Sequence, residues 1–312
     1  MPMPDRFYTR APFWGALLIA AVIAVMLSVP ATRSLVARAL GSLRMQKVQA
    51  VNVDLSPFTD PNANPALHQM VAQMISDKVV VTLNESDQPA PDSATAARLA
   101  GFPVQLLSAR IDSPKLVVSG GHAFNMTVDR PRLQEIVKAS GHPEIALPAS
   151  LDNAVVSVQI PHELHAQYGT CPQPATAGNN IANQVIDTPP SATQYADCVR
   201  LTEGPSPTVS VPAGLDLTKL AKVGLEVGGM TPAQADDFFQ TVDWKSTLTL
   251  TVPRMLRSYE QVQVGDVNGV LLTMAGRRGP GYTLIWAKKG VAFALVGFGD
   301  SGQAIPLAKS LK

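Results

Sequence analysis

Charged residues, aromatic residues and cysteines are all scarce in this chain, and the first two scarcities exclude classes of function. Lysine, arginine, aspartate and glutamate make up 16% of the 312 residues, with a formal net charge of +1. Proteins that bind nucleic acids carry a basic face, so this balance predicts no nucleic-acid partner. Aromatic residues amount to 5%, which also argues against stacking platforms for unpaired bases.

Motifs that suggest chemistry are present, but each lacks a part that its chemistry needs. The stretch from Gly297 to Gly302 matches the G-x-G-x-x-G pattern of dinucleotide sites. Such a site needs a second strand and an acidic residue about twenty positions on, and only ten residues follow. The Gly-Asp-Ser-Gly run around Ser301 is similar to the nucleophile turn of trypsin-like proteases, but the His-Cys signature of those proteases is absent. We interpret this stretch as a glycine-rich turn before a last helix.

The histidines and acidic pairs do not form a recognisable metal or catalytic site. His162-Glu163-Leu164-His165 places two histidines at i and i+3, whereas a zinc helix of the H-E-x-x-H type needs them at i and i+4. Such a pair could share a metal only with a third ligand from elsewhere. The remaining histidines are scattered, at His68, His122 and His142, and Asp236 and Asp237 are consecutive, so they point to different faces of a helix. We predict a solvated loop at 162–165, and no catalytic residue, metal site or cofactor.

The longest apolar run extends from Phe13 to Val29 and reads FWGALLIAAVIAVMLSV. A run of about seventeen to twenty such residues can cross a bilayer as a helix. A signal peptide is the alternative, because Arg6 and Arg10 precede the run and Val29-Pro30-Ala31 is a tolerable cleavage site. The run is longer than the usual signal-peptide core of roughly seven to fifteen residues. This length favours an uncleaved transmembrane helix at 13–30 after a short cytoplasmic tail at 1–12.

A basic amphipathic helix is predicted next, over residues 31–47 (ATRSLVARALGSLRMQK). Its apolar residues share one face, and Arg33, Arg38, Arg44 and Lys47 occupy the rest. Such a helix either lies at the membrane surface with its cations near lipid phosphates or forms a solvated stalk. The positive charge after the anchor favours a cytoplasmic location for the large domain, but long domains translocate largely regardless of charge. We favour a domain outside the cytoplasm.

Two cysteines, Cys171 and Cys198, bear on the compartment of the remaining domain at 48–312. The segment between them is rich in Pro, Asn, Ala and Thr, as expected of a long surface loop at 171–198. A disulfide that closes this loop implies an oxidising compartment, and two free buried thiols are the alternative. We predict the disulfide and, with it, an extracytoplasmic domain.

Hydrophobic periodicity predicts an α+β fold with a mainly antiparallel sheet and helices packed on one face. Strands are predicted at 46–55, 78–83, 103–107, 115–118, 123–128, 154–160, 208–211, 247–252, 259–264, 267–274, 282–287 and 291–298. Helices are predicted at 65–76, 93–100, 130–139, 217–227, 232–241 and 303–311. Gly101 ends the second helix, a capping box from Thr231 to Gln234 begins the fifth, and Lys288-Lys289-Gly290 forms a three-residue hairpin loop.

Three stretches together resemble a known group of proteins. They are the anchor, stalk and strand at 13–53, the Ala100-Gly101-Phe102-Pro103-Val104 run, and the C-terminal strands at 267–272, 282–286 and 291–297. This pattern is similar to the extracytoplasmic domain of bacterial membrane-anchored proteins related to anti-sigma factors. The resemblance implies no catalytic residues. Full anti-sigma proteins of this type carry a cytoplasmic sigma-binding domain, for which residues 1–12 are too short.

These observations favour a single-pass protein of the bacterial cytoplasmic membrane with a sensory or protein-interaction domain outside the cytoplasm. Its partner would be a regulatory or membrane protein, and we predict no enzymatic activity. The alternative is a binding or carrier domain for a lipid or other apolar ligand, because a curved antiparallel sheet with low charge permits an apolar groove. An anchored hydrolase has only His162, His165 and Ser301 to offer as catalytic groups.

Overall fold

The structure is a computed structural model that describes residues 47–53, 64–172, 195–212, 215, 217–242, 247–253, 258–276 and 279–312. The predicted tail and transmembrane helix at 1–30, nearly all of the basic helix at 31–47 and most of the 171–198 loop lie outside these residues. Within the described ranges, no helix combines the length and the apolar character that a membrane crossing requires.

The described residues form fourteen strands and six α-helices. The strands are β1 (Lys47–Val53), β2 (Val79–Asn84), β3 (Gln88–Ala90), β4 (Lys115–Ser119), β5 (His122–Thr127), β6 (Val155–Ile160), β7 (Glu163–Tyr168), β8 (Val199–Pro205), β9 (Thr208–Ser210), β10 (Thr247–Pro253), β11 (Ser258–Val264), β12 (Val267–Gly276), β13 (Gly279–Lys288) and β14 (Val291–Phe298). The helices are α1 (Pro65–Lys78), α2 (Ser93–Ala100), α3 (Arg130–Ala139), α4 (Leu217–Val227), α5 (Pro232–Thr241) and α6 (Ala304–Lys309).

Two antiparallel sheets contain most of the strands, which confirms the α+β class with mainly antiparallel pairing. The large sheet has eight strands in the order β11-β12-β13-β14-β8-β7-β4-β3, and the small sheet has four in the order β2-β5-β6-β9. β1 and β10 form a separate parallel pair, and Val48 of β1 packs on Val270 and Ala287 of the large sheet. The prediction of one sheet was therefore too simple.

Four connections carry the chain from one antiparallel sheet into the other, and they lie side by side. β2 continues into β3, β4 into β5, β6 into β7 and β8 into β9, and the members of each pair hold matching positions in the two sheets. Each pair is therefore one long strand that bends between the sheets. The bends lie at 85–87, 120–121, 161–162 and 206–207, and we call this row of bends the crossover line.

Backbone segments approach one another closely at the crossover line. The Glu85 N–H donates to the Gly121 carbonyl at 3.1 Å, and the Gly121 N–H donates to Glu85 Oε2 at 2.9 Å. The same carboxylate oxygen lies 2.8 Å from Nε2 of His162. A Cβ atom on Gly120 would lie 2.3 Å from the Glu85 carbonyl oxygen, so only glycine fits at this position.

Each antiparallel sheet has its own hydrophobic core. Helices α2 and α6 pack on one face of the large sheet, where Trp286 stacks on Phe293 with ring centroids 5.1 Å apart. Helices α3 and α4 contribute Val137 and Leu220 to the core of the small sheet, opposite Phe124. Burial of these apolar side chains is the main favourable contribution to folding.

The starts of several helices are stabilised by short polar side chains, which satisfy the free N–H groups of the first turn. Asp92 and Asp129 accept from the third residue along the chain at α2 and α3. The capping box at α5 is confirmed by reciprocal hydrogen bonds between Thr231 and Gln234. Gly101 ends α2 in the left-handed conformation, with φ of +79°.

Two predictions for the centre of the large sheet were wrong. The predicted loop at 162–165 belongs mostly to β7, an interior strand on which Leu164, Ala166 and Tyr168 are at most 1% exposed. Strand β8 was not predicted. Both strands carry His, Glu, Gln, Arg and Thr on alternate positions, and this polar composition obscured the buried residues between them.

Two further predictions differ in detail from the structure. Residues 103–107 form no strand and make one isolated bridge, between Leu107 and Leu311. The hairpin between β13 and β14 has a two-residue loop, because Lys288 pairs with Val291. Its residues Lys289 and Gly290 have φ of 54° and 84°, which is the conformation of tight hairpin turns that match the twist of the strands.

The contact at the crossover line predicts an unusual cost for adding one methyl group. We expect Gly120→Ala to lower the free energy of unfolding by about 3 kcal/mol, because backbone atoms of Glu85 have to move. Gly101→Ala is the control, since nothing lies within 4 Å of the new methyl group and the strain of its φ is about 1–2 kcal/mol. Urea denaturation measures both, and equal losses would contradict the close packing of the crossover line.

Candidate functional site

Strand β2 is an edge strand with exposed apolar side chains. Among the described residues it pairs with β5 and with no other strand. The exposed fractions are 62% for Val80, 47% for Val81 and 45% for Leu83. An edge strand presents unpaired backbone N–H and C=O groups, which form a template for pairing with another extended segment.

The pairing of β2 with β5 explains why both of its faces are apolar. Val81 lies opposite Phe124, so it is on the face that carries the core of the small sheet. Val80 and Leu83 lie opposite Asn125 and Ala123, on the outer face. The register shifts between Val81 and Leu83, and this bulge at residue 82 places Val80 and Leu83 on the same face although they are three positions apart.

The other edges of the two antiparallel sheets carry features that disfavour pairing. Pro89 in β3 has no N–H to donate, and Glu85 and Asp87 precede it. Strand β9 has three residues with exposed Thr208 and Ser210, and the exposed residues of β11 include Glu260, Gln261 and Gln263 beside Tyr259. By contrast, residues 79–83 of β2 contain no charge and no proline.

The structure joins Cys171 to Cys198 in a disulfide, which confirms the predicted pair. Cys171 follows β7 and Cys198 directly precedes β8, so the bond ties the ends of two adjacent interior strands. Both cysteines are buried. Charged groups support the same end of the sheet, because Asp112 accepts from the Gly169 N–H at 2.8 Å and Arg110 donates to the Asp197 carbonyl at 3.0 Å.

The glycine-rich stretch after β14 serves packing and chain reversal. Gly297 lies opposite Tyr282, and a Cβ atom at this position would be 2.3 Å from the tyrosine ring. Asp300 accepts from the Gly302 N–H at 2.9 Å. Ser301 begins a single turn of 3-10 helix that leads into α6, as the prediction of a turn before a last helix requires.

The histidines of the 162–165 motif lie apart and have separate partners. His162 pairs with Glu85 across the crossover line. His165 Nδ1 lies 3.0 Å from Thr202 Oγ1, and its Nε2 lies 3.9 Å from Glu163 Oε2. Burial lowers the pKa of His165 and raises the pKa of Glu163. Within the described ranges, no three His, Cys, Asp or Glu side chains are grouped so that they could hold a metal ion.

One buried acidic residue was not found from the sequence. Glu203 of β8 is 0% exposed, and its Oε1 accepts the Gln105 N–H at 2.7 Å. Loss of hydration raises its pKa to about 7. The signal that could have identified it is the alternation Val199, Leu201, Glu203, which places the glutamate on the same face as two fully buried residues.

The apolar face of the large sheet is covered by the protein itself. Helices α2 and α6 and the partly buried residues Phe102, Val104 and Leu106 pack on it. The apolar groove that the carrier alternative requires is therefore filled on this face by residues of the same chain.

Comparison of this chain with protein-family models, with curated proteins and with solved structures finds no match.

Reduction or removal of the disulfide is expected to destabilise the domain. Cys171→Ala with Cys198→Ala should lower the free energy of unfolding by about 3–4 kcal/mol, because the bond closes a 27-residue separation and restricts the unfolded chain. Urea denaturation measures the difference. Dithiothreitol should bring the wild-type protein to the stability of the double variant and leave that variant unchanged. Equal stability of the oxidised and reduced wild-type proteins would contradict the prediction.

Proposed function

We propose that this chain is a single-pass protein of the bacterial cytoplasmic membrane whose extracytoplasmic domain binds a regulatory or membrane protein in envelope signalling. In this proposal residues 13–29 span the membrane, the basic helix at 31–47 lies next to it, and the domain has no enzymatic activity. The exposed apolar edge of β2 is the observation that carries the interaction role.

Two observations support the location outside the cytoplasm. The Cys171–Cys198 disulfide is of the kind that persists in oxidising compartments. The apolar run at 13–29 precedes the whole domain and has the length of a membrane-spanning helix. The resemblance to the extracytoplasmic part of anti-sigma-factor-related proteins agrees with both observations and suggests signalling as the context.

The edge would bind its partner by adding a strand to the small sheet. Backbone hydrogen bonds supply affinity in this mode, and alternate side chains supply specificity. The uncharged stretch of β2 has five residues, 79–83, and Glu85, Asp87 and Pro89 disfavour pairing beyond it. The segment that fits is therefore an extended, uncharged run of about five residues. Its apolar side chains would contact Val80 and Leu83 on the outer face of the small sheet and Val81 on the core face.

Photocrosslinking in intact cells tests this function. The full-length chain carries a photoreactive amino acid at residue 82, in the β2 bulge. We expect a covalent adduct with a second protein, and the combined substitution Val80→Lys and Leu83→Lys should reduce its yield by about tenfold or more, because two charges would be desolvated in the paired strand. Thr208→Lys with Ser210→Lys adds the same charge to the β9 edge and should leave the yield unchanged.

Three results would overturn the assignment of the β2 edge. These are the absence of any adduct at residue 82, an adduct whose yield is the same in the β2 and β9 variants, and an adduct that contains only a second copy of this chain. The last result would identify the edge as a dimer interface.

A further inference from the structure

Glu203 of the large sheet is a fully buried acidic side chain with one oxygen left without a hydrogen bond from the described residues. It lies in a row of paired residues with Trp286 and Phe293 on one side and Leu164 on the other, all on the core face. Only the Gln105 N–H donates to its Oε1. No protein group in the described ranges donates to its buried Oε2, and an unsatisfied buried oxygen of this kind is costly when the group is charged.

The Gln105 N–H belongs to a segment that crosses the core face, residues 102–108, which we call the strap. The strap contributes Phe102, Val104, Leu106 and Leu107 to the large core. It has no regular secondary structure apart from the bridge at Leu107. Its backbone groups form hydrogen bonds with residues of other elements. Its position therefore depends on the burial of these apolar side chains and on a small number of individual hydrogen bonds.

Besides Glu203, two partners hold the strap. The hydroxyl oxygen of Tyr168 accepts the Leu107 N–H at 2.9 Å. The C-terminal residues pair with it in both directions, because the Leu106 N–H donates to the Lys312 carbonyl at 2.9 Å and the Lys312 N–H donates to the Leu106 carbonyl at 3.1 Å. Of these partners, Glu203 is the one that contributes a fully buried side-chain carboxyl group.

No opposite charge compensates Glu203 from the elements around it. β14 presents Phe293, and β7 presents Leu164 and, further along, the neutral phenol of Tyr168, whose pKa is raised by burial with a smaller contribution from Glu203. The strap presents the Gln105 N–H. Arg98 of α2 and Lys309 of α6 are exposed to solvent. Arg200 lies on β8 an odd number of residues from Glu203, so its side chain is on the opposite face of the sheet.

We propose that Glu203 is a proton-operated latch, which holds the strap closed over the apolar face of the large sheet when its carboxyl group is protonated and releases the strap when the group ionises. The closed strap covers the surface that carries Trp286, Phe293 and Leu164. Release would expose this face to an apolar ligand or segment.

The direction of the pH effect follows from the raised pKa. Burial raises the pKa of the carboxyl group to about 7 from an ordinary value of 4.5, and this effect outweighs the Gln105 N–H, which favours the ionised form and lowers the pKa. Below pH 4.5 both the closed and the open state hold the proton, so pH does not affect the balance. As the pH rises from 4.5 to about 7, the open state gives up its proton first and the closed state is progressively disfavoured, and above pH 7 the effect levels off. The difference of 2.5 pH units limits the full effect to about 300-fold.

Hydrogen exchange of the full-length protein in mild detergent, at pH 5 and pH 8, tests the latch. Protection factors, corrected for the intrinsic pH dependence of exchange, are measured for a peptide that contains the amides of Gln105, Leu106, Leu107 and Ser108. We expect protection of the strap to fall by about tenfold or more at pH 8, while peptides from β12 to β14 keep theirs. In Glu203→Gln the strap should be equally protected at both values, since an amide has the shape of the acid and no charge.

Glu163→Gln is the matched control. Glu163 is a half-buried glutamate on the neighbouring strand whose pKa is also raised by burial, but it lies on the opposite face from the strap. This variant should keep the pH-dependent loss of protection. Unchanged protection in the wild-type protein between pH 5 and pH 8 would overturn the proposal, and this result needs no variant to fold. A loss that persists in Glu203→Gln would overturn it as well.

Discussion

The crossover line is the constraint on which the rest of the structure depends. Four neighbouring strands bend there, each from one sheet into the other, so the two sheets cannot be positioned independently. The bends fit together because Gly120 leaves room for the backbone of Glu85, and because Glu85 accepts from Gly121 and lies against His162. His162, one of the two histidines of the 162–165 stretch, thus contributes to the junction between the two sheets.

The location of the candidate binding edge follows from this arrangement. The bent strand formed by β2 and β3 lies at one side of both sheets. Its β3 part is blocked by proline, whereas its β2 part carries three exposed apolar residues and no charge. Natural proteins protect edge strands of this kind with charges, prolines or covering segments. Three exposed apolar residues, with no charge or proline in residues 79–83, distinguish this edge from those of β3, β9 and β11 and support its assignment to a partner.

Local signals in the sequence predicted the elements whose patterns are strong, and failed where polar residues lie on buried strands. The capping box at Thr231 and the glycine at 101 marked the start of one helix and the end of another, and the alternating C-terminal strands were recognised. Strands β7 and β8 were not, because His165, Thr202 and Glu203 suggest solvent exposure while their neighbours are buried. The bent strands and the strap depend on contacts between residues far apart in sequence, which no periodicity reveals. The disulfide was predictable because the chain has two cysteines.

The central claim is that this domain works outside the cytoplasm, where its disulfide is stable and its β2 edge meets a membrane or envelope partner. Protease treatment of intact spheroplasts that express the chain with a C-terminal epitope tag tests this claim most directly. We expect the tag to be digested from outside, and the undigested protein to contain the Cys171–Cys198 bond on a non-reducing gel. Protection of the tag until the cells are lysed, with both thiols free, would place the domain in the cytoplasm and contradict the proposed function.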